Sequence, residues 1–162
     1  MKIECTLSSG SLADAAKQLR KYADSLQSKS ERLVKDLGEA GVDYANMYLE
    51  HDDTGETRSS IQFEQKVNTG VISVGGAAVW IEFGTGVLAN AGDAPHPKKD
   101  ELGMLNWGEY GHGLGKDTWW FTNKYGQQVW TAGIHMNPFM YEAAQSLRFS
   151  LTDFAKEAFK ND

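Results

Sequence analysis

The chain has one cysteine and three prolines in 162 residues. A single thiol, Cys5, excludes an internal disulfide framework, so the fold must be held by packing alone. No flanking His or Lys cluster marks Cys5 as a nucleophile, and it reads as a small buried hydrophobe. No apolar run of 18 residues, signal-peptide core or small-residue cleavage site occurs, which predicts a soluble, unprocessed chain with no membrane contact. Basic charge is also short. Sixteen Lys and Arg against 22 Asp and Glu leave a formal charge of −6, and the local groups Lys17, Arg20, Lys21 and Lys98, Lys99 are scattered among acids. Gripping nucleic acid needs clustered cations that release counterions from phosphate, so that function is not expected.

Catalytic signatures are missing as well. "GTGVLANAG" has glycines but not the Gly-Lys-Ser/Thr of a phosphate loop, and no nucleophile elbow appears. His51, His96, His112 and His135 show no metal-ligand spacing, and no carboxylate pair can be assigned to acid–base work. The expectation is a protein without catalytic residues, cofactor or metal. A metal-dependent hydrolase built from the histidines is the weakest alternative.

What is present is globular composition, 41% hydrophobic and 23% charged, in a length suited to one domain spanning 1–162. "MKIECTL" alternates as a short strand would. Ser11 with Asp14 approximates a helix-capping box, after which Leu12, Ala15, Leu19, Tyr22, Leu26, Leu33, Leu37, Tyr44 and Met47 recur at helical spacing to about His51. About 40 residues make a helix of about 60 Å, longer than a compact domain of this size is wide. Either the helix breaks near Gly38 and Gly41, or part of it projects and suits another subunit.

A polar turn, "HDDTGETRSS", leads into a hairpin with Ile61, Phe63 and Val67 on one face and "NTG" at the turn. "AAVWIEF" reads as a short helix ending at Gly84 in the left-handed position, with a third strand as the alternative. Residues 84–117 form a long Gly-rich segment, expected to be an assembly loop. "TWWFTNKYGQQVWT" predicts a second hairpin on which Trp119 and Trp120 point to opposite faces, one inward and one toward a partner. Protein contact is the favoured use of that aromatic surface, and a carbohydrate-binding or cell-wall-targeting module is the runner-up. Asn137 as N-cap and Pro138 at the first helical position open a final amphipathic helix carrying Met140, Ala143, Ala144, Leu147, Leu151, Phe154 and Ala158. The fold class is α+β: a small antiparallel sheet packed by a long N-terminal helix and a C-terminal helix.

"VWIEFGTG" raises a specific question, because its one carboxylate, Glu82, stands in an otherwise apolar run. A buried carboxylate needs a partner. Arg58 is the candidate, since its planar fork can hold a carboxylate through two hydrogen bonds; the alternative is that Glu82 faces solvent.

Three segments in order, "TGETRSSI" at 54–61, "AAVWIEFGTG" at 77–86 and "MNPFMYEA" at 136–143, resemble the tail-component family of long-tailed bacteriophages, whose members are head–tail joining or tail-completion proteins of the virion neck. The matching positions are Thr54, Gly55, Arg58, Ser60 and Ile61, then Glu82, Phe83, Gly84 and Thr85, then Pro138 and Phe139. The resemblance implies a structural virion protein, assembled in the bacterial host cytoplasm. It also implies a homo-oligomeric ring, other neck and tail proteins as partners, and DNA passing nearby without specific binding. The segment between Gly86 and Trp119 is longer than in the compact version of that family.

Overall fold

Periodic apolar residues and the near absence of breakers make the first element one uninterrupted helix, α1 (Ser9–Tyr48). The computed structural model describes residues 9–50, 52–90, 96–98, 101 and 118–160. The strand expected over "MKIECTL", including Cys5, therefore lies outside the described residues. Helix α1 is described from Ser9, which puts Ser11 inside its first turn.

Gly38 and Gly41 do not break α1. They are where the first hairpin lies against it, formed by β1 (Gln62–Lys66) and β2 (Thr69–Ser73). A Cβ on Gly38 would stand 2.2 Å from the Phe63 ring, and one on Gly41 would stand 2.3 Å from Ile72 Cδ1. The helix therefore accepts two poor helix formers in exchange for close packing of an aromatic and a branched side chain. The hairpin turn is Val67–Asn68, with Lys66 opposite Thr69, so Val67 leaves the face on which Ile61 and Phe63 sit. Val67 adopts φ 52°, a left-handed conformation that a β-branched residue disfavours.

Between α1 and this hairpin lies the short helix α2 (Glu56–Ser59); after the hairpin comes α3 (Ala78–Phe83), the short helix expected from "AAVWIEF". The first residues of the long Gly-rich segment are ordered. Thr85–Gly86 forms β3 and Val87–Asn90 a 3₁₀ turn. Apart from His96–Lys98 and Glu101, the remainder up to 117 lies outside the described residues. The second hairpin is β4 (Trp119–Thr122) with β5 (Gln128–Thr131), and β6 (Gly133–Ile134) returns to pair with β3. The strands thus make three separate two-stranded antiparallel ladders.

The last helix, α4 (Phe139–Ala158), runs antiparallel to the C-terminal half of α1. The hydroxyls of Tyr48 and Ser146 lie 2.9 Å apart, those of Tyr44 and Ser150 lie 3.2 Å apart, and Lys29 Nζ reaches the Lys160 carbonyl at 3.2 Å. Its buried stripe runs through Phe139, Ala143 and Ala158, while Ala144 and Leu151 face outward, contrary to the periodicity reading. The core joins Ala45 of α1 and Leu49 just beyond its end, Ile61, Ala78 and Ile81 of α3, and Phe139 and Ala143 of α4. No helix among the described residues is long and apolar enough to cross a membrane.

Candidate assembly junction

The core collects where α1 ends, α3 passes and α4 begins, and such a place must satisfy free backbone groups. The last carbonyls of α1 and the first N–H groups of α4 have no partners within their own helices. Side chains from residues 54–61, 77–86 and 136–143 supply partners for several of them.

Glu82, near the end of α3, is only 8% exposed. Its carboxylate accepts the N–H of Met140 at 2.9 Å and of Tyr141 at 3.0 Å, so it caps the N-terminus of α4 from 58 and 59 residues away. The positive end of the helix dipole and two charge-assisted hydrogen bonds offset the burial of the charge. The remaining partner is His96, whose Nε2 stands 3.0 Å from Glu82 Oε1. The Lys98 N–H donates to His96 Nδ1 at 3.1 Å. An Nδ1 that accepts leaves Nε2 as the protonated nitrogen, so His96 donates to Glu82. The imidazole is itself held between Phe83, ring centroids 4.4 Å apart, and Tyr141 at 5.6 Å.

Arg58 is therefore not the partner of Glu82. Its guanidinium donates to the carbonyls of Asn46 and, at 2.7 Å, of Leu49. The pairing expected from sequence fails because each ion finds a helix end of opposite polarity: the arginine sits at the carbonyl end of α1 and the carboxylate at the N–H end of α4. Arg58 is set in place by Asp52, which accepts the N–H groups of Thr57 at 3.3 Å and Arg58 at 2.8 Å. The Thr54 hydroxyl accepts the Glu56 N–H at 3.3 Å, and Gly55 takes a left-handed φ of 73°.

Asn137 does not cap α4 either. Its side-chain amide donates to the Tyr48 carbonyl at 3.0 Å and accepts the Glu50 N–H at 2.8 Å, closing the end of α1, while its own N–H donates to Ile81 at 2.8 Å. Pro138 occupies the cap position, one residue before the helix, and Phe139 is completely buried beneath it.

Gly84 has φ 72° and ψ 176°, so it is not a left-handed C-cap but sits in a region that glycine alone occupies readily. A Cβ there would lie 2.8 Å from both the Ile134 carbonyl oxygen and the Met136 nitrogen. The Thr85 hydroxyl accepts the Ile134 N–H at 3.1 Å, continuing the β3–β6 ladder. Glu82 through Thr85 thus fix the direction in which the long segment leaves.

On the second hairpin, Trp119 is half-buried and directed toward Gly86, whereas Trp120 is 66% exposed and stands opposite Trp130, 54% exposed. The two neighbouring tryptophans do point to opposite faces.

Sequence reasoning missed His96 and misassigned Asn137. Pro95-His96-Pro97 was the available signal, an imidazole on a stiffened stretch of chain. Among the described residues no group of three His, Cys, Asp or Glu side chains could hold a metal ion. His51, one of the histidines weighed for that role, lies outside the described residues. The junction organises backbone. No family model matches this chain, and no curated protein or solved structure matches it either.

Proposed function

We propose that the protein is a structural component of a bacteriophage neck or tail, joining or completing the head–tail connection by self-assembly or by binding other neck and tail proteins. One observation carries the reading. The three segments that resemble the tail-component family, separated by tens of residues in sequence, meet at one junction, where Arg58, Glu82 and Asn137 each close a helix end or bind backbone. That these side chains hold helix ends and backbone supports reading the junction as a scaffold. Around it the chain offers surfaces for neighbours: the Trp120 and Trp130 face of the second hairpin, and the N-terminal half of α1 with Leu12 and Leu19 more than half exposed. A net charge of −6 would let DNA pass without adhering.

Quantitative mass spectrometry of purified particles tests this. The protein should be present at a low fixed copy number per particle, set by a ring and far below that of the coat protein. Its absence from particles that are complete and infectious overturns the reading. The exposed Trp120 and Trp130 pair also favours a second reading, an aromatic platform for sugar rings. Specific binding on a glycan array that is lost in Trp120→Ala would support that alternative.

A further inference from the structure

Seven-residue spacing places Leu12, Leu19 and Leu26 in a line on α1, and all three are exposed, at 51%, 55% and 37%. At about 100° per residue these leucines fall within roughly 40° of Leu37, Tyr44 and Tyr48 on the helix surface. The lower part of that line is the face on which α4 packs, through the Tyr44–Ser150 and Tyr48–Ser146 contacts. The cover stops at Lys29, where the carbonyl of Lys160 just beyond α4 receives its last contact. From Ser9 to Ser28 the same apolar line runs on for about 30 Å, and no helix among the described residues lies against it.

The composition of the uncovered stretch says what fits there. Ala15, Ala16, Tyr22 and Ala23 flank the leucines, and the charges of this stretch, Asp14, Lys17, Arg20, Lys21 and Asp24, all fall outside the stripe. A leucine every seventh residue is the repeat that meshes with another helix bearing the same repeat, knobs into holes. An identical stripe brings no like charge into the seam, and the small alanines allow the two backbones to approach. Covering Leu12, Leu19, Tyr22 and Leu26 in two copies removes on the order of 800 Å² from water, and the alanine flanks bring the total to about the 1,000 Å² that a specific interface requires.

We infer that the N-terminal half of α1, Ser9–Ser28, pairs with the same stripe of a second copy of this chain. The α1–α4 pair holds each domain together, and the projecting half of α1 joins two domains. This pairing stands whether or not the protein belongs to a virion.

The test uses the full chain. Sedimentation velocity over a wide concentration series should show reversible association of the wild type. Leu19→Glu combined with Leu26→Glu should abolish the dimer while leaving the unfolding midpoint close to that of wild type, because both side chains are exposed and lie N-terminal to the Lys29–Lys160 contact at the end of α4. In a Cys5→Ser background, single cysteines at Leu19 or Leu26 joined by a short bismaleimide should give a covalent dimer at one or both sites. Lys17→Cys, on the opposite face, should not. A wild type that stays monomeric throughout, association unchanged in the double variant, or equal cross-linking at Lys17 and the leucine sites overturns the inference. Dimers without any presence in particles would instead keep the inference and remove the proposed function.

Discussion

Replacing Glu82 by Gln keeps the shape of the side chain and removes its charge, which isolates the role given to it here. The carboxylate serves three donors, the Met140 and Tyr141 N–H groups and His96 Nε2, at 2.9 to 3.0 Å. A glutamine oxygen can still accept, but its amide group presents a donor where every partner among the described residues is a donor. Hydrogen bonds to a charged group contribute about 1.5–3 kcal/mol each, and the helix dipole adds up to about 2 kcal/mol in a partly buried setting. Desolvation of the carboxylate offsets much of this, so the expected net loss is about 2–4 kcal/mol. Urea unfolding of Glu82→Gln, His96→Gln and the double variant gives the coupling. The expected interaction energy between 82 and 96 is about 1–2 kcal/mol, within the range found for residues sharing a hydrogen bond. The parallel cycle on Glu82→Gln and Arg58→Met should be additive within about 0.5 kcal/mol, because the two side chains share no hydrogen-bond partner among the described residues. Strong coupling to Arg58 with none to His96 would refute the helix-capping account.

Val67→Gly should raise stability by about 0.5–1 kcal/mol in urea unfolding, since it relieves a left-handed valine at φ 52° on an exposed turn and outweighs the added chain entropy. Gly84→Ala should lower it by at least about 2 kcal/mol, because the added Cβ meets two backbone atoms at 2.8 Å that no rotamer can move. Trp120→Ala should leave the thermal midpoint nearly unchanged, whereas Trp119→Ala should lower it, since the Trp119 ring packs beside Gly86.

The elements that periodicity and turn chemistry define could be read from the sequence: α1, both hairpins, the short α3 and the amphipathic α4. Local patterns fail where the deciding contact is distant. Gly38 and Gly41 look like breaks until Phe63 and Ile72 are seen lying on them. The partner of Glu82 could not be found by searching for cations, because most of it is backbone N–H at the start of a helix nearly 60 residues on. Arg58 is expected from sequence to pair with Glu82, but its acceptors are carbonyls, which every residue carries and no sequence pattern marks. His96 sits in a stretch without periodicity, so only the fold brings it to the carboxylate. The Val67–Asn68 turn was displaced by one residue because strand pairing, rather than residue preference, sets the register.

The central proposal, a structural place at the head–tail junction, is tested most directly by electron microscopy of purified particles labelled with gold-conjugated antibody to this protein. Label confined to the junction between head and tail is the predicted result. Label at the distal tail tip, along the tail tube, or on no particle would contradict it.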